Sequence, residues 1–219
     1  MIIKLDNIGK SIKGNQVLNQ VSFEFESGKI YGIYGRNGSG KTMLMRMILG
    51  LIHSDHGSVT IDGKIIGKDI DFPESVGAMI ENPGFFPYAT GYENLKMLAD
   101  IKGKIDENDI RKAIQKVGLD DQEKRVVAKY SMGMKQRLAI AQAIMEKPDL
   151  LVLDEPTNAL DQEGVDVFRK IIQSEAKRGT LIIISSHNKE DIDILSDIKI
   201  RMELGKIVDY ADNSQREVA

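Results

Sequence analysis

Gly35-Arg36-Asn37-Gly38-Ser39-Gly40-Lys41-Thr42 matches the pattern G-x-x-x-x-G-K-[ST]. In that pattern the glycines let successive backbone N–H groups curl around a phosphate without Cβ clashes. Lys41 would reach the β- and γ-phosphates of a nucleotide, and the Thr42 hydroxyl would ligate Mg²⁺. The helix expected to begin near Gly40 would add the positive end of its dipole to the same anion. A second cluster, Leu150-Leu151-Val152-Leu153-Asp154-Glu155, puts two adjacent carboxylates at the end of an apolar run, where α/β sheets carry ligand chemistry. Side chains alternate across a strand, so the two acids need not do one job. Asp154 is suited to holding Mg²⁺ and Glu155 to polarising an attacking water as general base.

These groups need a frame. Lys29 to Gly35 reads as a short buried strand, and Met43 to Leu51 as an apolar helix, so strand, glycine loop and helix follow in the order of a phosphate site. Leu150 to Leu153 and Leu181 to Ile184 are continuous apolar runs of the kind buried on both faces of a parallel sheet. Upstream, Val21, Phe23 and Phe25 alternate with Ser22, Glu24 and Glu26, and Val59 and Ile61 lead into Asp62-Gly63. Both stretches predict an antiparallel sheet. After the turn signals Asn82-Pro83-Gly84 and Phe86-Pro87, helices are expected over Asn94 to Ala99 and Asp106 to Val117. Asp106 is the candidate N-cap of the second and Gly118 its stop. A third helix runs over Leu138 to Met145, with Ser131 as its candidate N-cap.

The 219 residues, with 30 Lys+Arg against 33 Asp+Glu and no Cys, fit one globular domain over 1–219 rather than a disulfide-stapled mini-protein. Within it we expect a helical subdomain over 82–146 and a polar, frayed tail over 211–219. The slight acidic excess argues against a bare nucleic-acid binder. No apolar run approaches the roughly 18 residues of a membrane span, and the charged N-terminus lacks the apolar stretch of a secretory signal. The expected location is the cytosol.

The Ser131 region carries a further pattern. Tyr130-Ser131-Met132-Gly133-Met134-Lys135-Gln136-Arg137 resembles the L-S-G-G-Q-x-x-R signature of ATP-binding subunits of ABC transporters, with Ser131, Gly133 and Arg137 matching and Tyr130, Met132 and Met134 departing. Asn158-Ala159-Leu160-Asp161 follows the acids like that family's D-loop, and His187 follows the last apolar run like its switch histidine. The resemblance implies an α/β P-loop fold with a mostly parallel sheet, an N-terminal antiparallel β subdomain and an α-helical insert. It also implies an Mg²⁺-dependent ATPase that docks on a separate transmembrane permease at the inner face of the cell membrane. Two such subunits, identical or paralogous, would pair head to tail. Ser131, Gly133 and Asp161 of one would then face ATP held by Lys41 of the other, with His187 orienting the attacking water. A soluble ATPase of this type, or an ATP-dependent dimerisation switch, is the alternative.

Two departures bear on the site. Where the family usually has a Gln that touches Mg²⁺, this chain has Glu81, also a hard oxygen ligand. Together with the signature variant, this is similar to subunits of bacterial bacitracin and lantibiotic exporters. Where the family often stacks adenine on an aromatic ring, this chain offers Ile12 and Val17, which implies aliphatic contact and loose base selectivity.

Overall fold

The computed structural model describes residues 1–81, 84–187 and 189–213. Two apolar runs decide its layering. Every residue of β7 (Leu150–Asp154) and β8 (Leu181–Ser186) is buried. Their side chains alternate between two cores, with Leu150, Val152, Leu181 and Ile183 in one and Leu151, Leu153, Ile182 and Ile184 in the other. A strand covered on both faces has no need of polar alternation, which is why these stretches are uniformly apolar.

The sheet they belong to has the order β10-β9-β3-β8-β7-β6. It comprises β3 (Ile30–Tyr34), β6 (Val76–Met79), β9 (Ile198–Glu203) and β10 (Lys206–Asp212) besides the two buried strands. All neighbours pair in parallel except β10 with β9. The first core is closed by α1 (Lys41–Ile48) and a four-stranded antiparallel sheet of order β2-β1-β4-β5. Its strands are β1 (Ile2–Ile12), β2 (Asn15–Glu26), β4 (His56–Ile61) and β5 (Lys64–Ile65). The turns Lys13-Gly14 and Asp62-Gly63 both place two successive residues at positive φ (49° and 82°, 48° and 81°), the backbone that matches the twist of a tight hairpin.

The second core is closed by α2 (Gly91–Lys102), α3 (Glu107–Lys116), α4 (Met132–Ile144) and α5 (Gln162–Lys177). A short α6 (Lys189–Leu195) precedes β9. Caps set the helix starts. Asp106 caps α3 by accepting from the Asp109 N–H, and Gly118 follows that helix at φ 75°. The helix expected from Asn94 starts earlier, at Gly91, because Thr90 and Glu93 form a reciprocal capping box. The α4 helix likewise begins at Met132, directly after its cap Ser131, six residues before the first fully apolar turn.

One boundary moves. Ala211 and Asp212, expected in a frayed tail, are instead the last residues of β10 and pair with Lys199 and Ile198. Residues 214–219 of that tail, and Asn82-Pro83 of the expected insert, lie outside the described residues. Among the described residues no helix is long and apolar enough to cross a membrane.

Candidate functional site

The glycine loop spans the gap between β3 and α1, and its shape is fixed by close approaches. A Cβ on Gly35 would lie 2.3 Å from the Met202 carbonyl oxygen, and one on Gly40 (φ 104°) 2.8 Å from the Val17 carbonyl oxygen. Only glycine fits between these strands. Lys41 arches back over the loop, its ammonium donating to the carbonyls of Gly35 (2.8 Å) and Arg36 (3.4 Å). The start of α1 has no side-chain cap and no acidic residue in its first turn. Its N-terminal N–H groups are therefore left for an anion. The buried Ser39 hydroxyl also lacks a hydrogen-bond partner among the described residues. A cavity of about 300 Å³ opens over the loop, lined by Val17, residues 37–43, Asp154 and Glu155. An uncapped helix end, an orphan hydroxyl and the Lys41 ammonium around one cavity fit a nucleotide's phosphates.

Both acids enter from the end of β7, beside the end of β8. Asp154 is 8% exposed. One of its carboxylate oxygens accepts from the Thr42 hydroxyl at 2.6 Å and the other from the Ser185 hydroxyl. Thr42 and Asp154 together offer a hydroxyl and a carboxylate, the sparse hard-oxygen set from which Mg²⁺ completes its shell with water and phosphate. The next residue, Glu155, takes left-handed backbone (φ 52°), a conformation that costs of order 1–3 kcal/mol outside glycine. Its N–H donates to the carbonyl (3.2 Å) and hydroxyl (3.1 Å) of Ser185. Its carboxylate accepts from the His187 N–H at 3.2 Å and lies 2.7 Å from the imidazole Nδ1. The turn swings Glu155 into the cavity while Asp154 stays against Thr42.

Other expected residues lie elsewhere. Val17 lines the cavity but Ile12, at the end of β1 and 39% exposed, is not among its walls. Glu81 (φ 59°) pairs with Arg46 at 2.7 Å and borders a separate cavity of about 240 Å³ beside Phe85, Phe86 and Leu98. It does not meet Thr42 or Asp154. Ser131 caps α4 by accepting from the Met134 N–H at 3.1 Å, and a Cβ on Gly133 would lie 3.0 Å from the Ala159 carbonyl oxygen. Asp161 caps α5 by accepting from the Gly164 N–H at 2.9 Å and pairs with Arg137 at 2.8 Å. That N–H bond, and then the Arg137 guanidinium, hold its carboxyl below the usual carboxylate range. None of Ser131, Gly133 and Asp161 lines the cavity over the glycine loop. They form a second surface.

Three residues to which the motif patterns assign no role complete the geometry: Ser185 on Asp154, Gln136 (an unspecified position of the signature stretch) on the Glu155 and Pro156 carbonyls, and Arg46 on Glu81. Ser185 carries a readable signal, since it is a polar residue ending an otherwise apolar strand two positions before His187. For the other two, only folding reveals the partner.

Parallel strands that deliver a glycine loop, a Thr–Asp pair and Glu155 to one cavity, with His187 against Glu155 but not among the cavity's lining residues, an antiparallel layer below and a helical insert beside, define a P-loop ATPase of the cassette type. Residues 18–158 match the family model described as ABC transporter. The chain is 51% identical over 206 residues to the uncharacterized ABC transporter ATP-binding protein YybJ of Bacillus subtilis (strain 168), covering 94% of each chain. It is 40% identical over 216 residues to the bacitracin transport ATP-binding protein BcrA of Enterococcus faecalis, covering 98% of this chain and 70% of that one. Its fold matches the solved dimer of the ATP-binding cassette MJ0796 in a post-hydrolysis state bound to ADP and Pi. The TM-score is 0.87 at 20% identity, over 96% of this chain and 98% of that one. The chain belongs to the ABC transporter family, as an ATP-binding ATPase cassette.

Proposed function

We propose that this chain is the ATP-hydrolysing subunit of a membrane exporter of antimicrobial peptides, acting in self-protection. It works from the cytoplasmic face as one of two cassettes paired head to tail. The observation that carries the reading is the split between the two surfaces. Lys41, Thr42, Asp154 and Glu155 line one cavity, while Ser131, Gly133 and Asp161 lie outside it, as expected if they serve a neighbouring copy's nucleotide. Kinship with a bacitracin transport protein over 98% of this chain supports the choice of substrate class.

In this reading Lys41 leaves the Gly35 and Arg36 carbonyls for the β- and γ-phosphates, and Ser39 gains the partner it lacks. Val17 and Ile12 meet the base. Thr42 and Asp154 would hold Mg²⁺, which would supply charge neutralisation at the transferring phosphate. Glu155 accepts a proton from water as the water oxygen attacks the γ-phosphorus and ADP departs. His187 holds the Glu155 carboxylate in place. Glu81, released from Arg46, would be a further hard-oxygen group available to that ion. Ser131, Gly133 and Asp161 close on the partner's ATP, so the dimer tightens with ATP and loosens after hydrolysis. The groove beside Phe85, Phe86 and Leu98 takes the permease.

Pull-down of the tagged chain from detergent-solubilised native membranes, with mass spectrometry of what co-purifies, tests the assignment. The expected result is a stoichiometric multi-span partner together with either this chain alone or a paralogous cassette. Recovery with soluble complexes only would overturn the transporter reading and leave a soluble ATPase or dimerisation switch.

A further inference from the structure

The helix that presents Ser131 also grips the catalytic strand of its own chain. Gln136, one residue before Arg137 on α4, donates both amide hydrogens to consecutive carbonyls, those of Glu155 (3.2 Å) and Pro156 (2.9 Å). Arg137 beside it donates to the Val117 carbonyl and to Asp161. Glu155 is thereby held at three points: its N–H by Ser185, its carboxylate by His187 and its carbonyl by Gln136. That matters because Glu155 sits in left-handed backbone (φ 52°). Such a conformation persists only where surrounding contacts over-determine it.

We propose that Gln136 is a positioning residue that makes Glu155 answer to the nucleotide bound at the neighbouring site. The inference rests on the paired-cassette reading above. Ser131 and Gln136 lie five positions apart on one helix, a separation of roughly 7.5 Å at 1.5 Å per residue. A helix of this length moves as a rod. When Ser131 and Gly133 close on ATP held by the partner, α4 carries the displacement to the Glu155 and Pro156 carbonyls. The backbone turn that aims the Glu155 carboxylate then settles into its productive position. The residues flanking Glu155 that are already assigned, Ser185 on β8 and His187 just after it, belong to the same site and carry no information about the other one.

The test compares Gln136→Met, which keeps length and removes the donors, with Gln136→Lys, which restores a donor to the same carbonyls. Initial rates of phosphate release are measured on the assembled complex across ATP concentration. For Gln136→Met, kcat falls roughly tenfold to a hundredfold, the range expected when a reacting group is slightly misplaced. KM and ATP-dependent pairing stay unchanged, and the Hill coefficient drops from about two toward one. Gln136→Lys recovers kcat and cooperativity together. Wild-type kinetics in Gln136→Met would overturn the proposal. So would a kcat loss that Gln136→Lys shares while both variants melt early, which makes Gln136 a packing residue. Glu155→Gln run in parallel separates the premises: if it retains turnover, the assignment of the base fails, whatever Gln136 does.

Discussion

Around Lys41 and Asp154 the polar groups already bond to one another across elements, Lys41 to the Gly35 carbonyl and Asp154 to Thr42 and Ser185. Around Ser131 helix caps predominate: Ser131 and Asp161 cap their own helices, and Asp161 also pairs across elements with Arg137 on α4. Met132, at the same helix start, is 62% exposed. In the paired-cassette reading the first surface exchanges bonds to take a nucleotide, giving up Thr42–Asp154 and Lys41–carbonyl contacts for metal and phosphate. In the same reading the second keeps its helix caps, gives up at most the Asp161–Arg137 pair, and gains contacts when a partner brings a nucleotide to it. On that reading ATP binding to one chain has offsetting terms, whereas closure of two chains mostly adds interactions, and ATP should strengthen pairing more than it stabilises the monomer.

Glu155→Gln breaks the comparison most severely. Its side chain keeps the shape of the first surface and removes the base. Turnover should fall about 10²- to 10⁴-fold, the usual contribution of a positioned base, while ATP binding persists and a dimer accumulates. Phosphate release and size-exclusion chromatography with and without ATP report both effects. Unchanged turnover would move the base to another residue.

Next in size is a pair of substitutions that separates a helix cap from a phosphate contact. Ser131→Ala removes the cap, at about 1 kcal/mol, and weakens pairing. Ser131→Asp retains a good cap but sets a negative charge against the partner's γ-phosphate. It should lose about a hundredfold in turnover, comparable to disabling a donor to a developing oxyanion, with its melting temperature intact. If Ser131→Asp turned over ATP normally, Ser131 would be a cap and nothing more.

The same contrast explains what could be read without coordinates. The glycine loop, the acids after Leu153 and the Asp106 and Ser131 caps depend on neighbours in sequence, so their residue types announce them. Buried strands announce themselves too, because cover on both faces excludes polar residues. The Arg46–Glu81 pair joins residues 35 positions apart and Gln136 to Glu155 joins residues 19 apart. No local pattern specifies such pairings. The expectation of Glu81 beside Mg²⁺ came from its standing where the resembling family usually has a Gln. The side chain turns instead to a cation on α1 that only the packing of α1 against the sheet supplies.

Glu81 gives a smaller effect. Its pair with Arg46 is exposed on the Glu81 side, at 60%, and such pairs contribute roughly 0–1 kcal/mol, too little to hold it from a divalent ion. Glu81→Gln should therefore alter the Mg²⁺ dependence of turnover by less than about tenfold, with a shallower curve than the parent carboxylate. Superimposable Mg²⁺ titrations would show that Glu81 stays with Arg46 throughout the cycle.

The smallest effect concerns Asp161, whose two bonds can be separated by charge. The Gly164 N–H and then Arg137 hold its carboxyl below the usual range. A depressed folded-state value means that the unfolded chain takes up the proton first as pH falls. The contribution is thus fully present above the ordinary carboxyl value of about 3.9 and is lost as pH drops through the lower folded value. Asp161→Asn keeps a cap of nearly equal quality but has no charge to titrate against Arg137. Its melting temperature should match the parent's at low pH and fall slightly short of it near neutrality, and the gap should close on acidification below about pH 4. Because Asp161 is exposed, salt should shrink the gap as well. A gap that persisted unchanged into acid would mean that Asp161 stabilises α5 through its hydrogen bond alone, and that Arg137 is tied to the D-loop by geometry rather than charge.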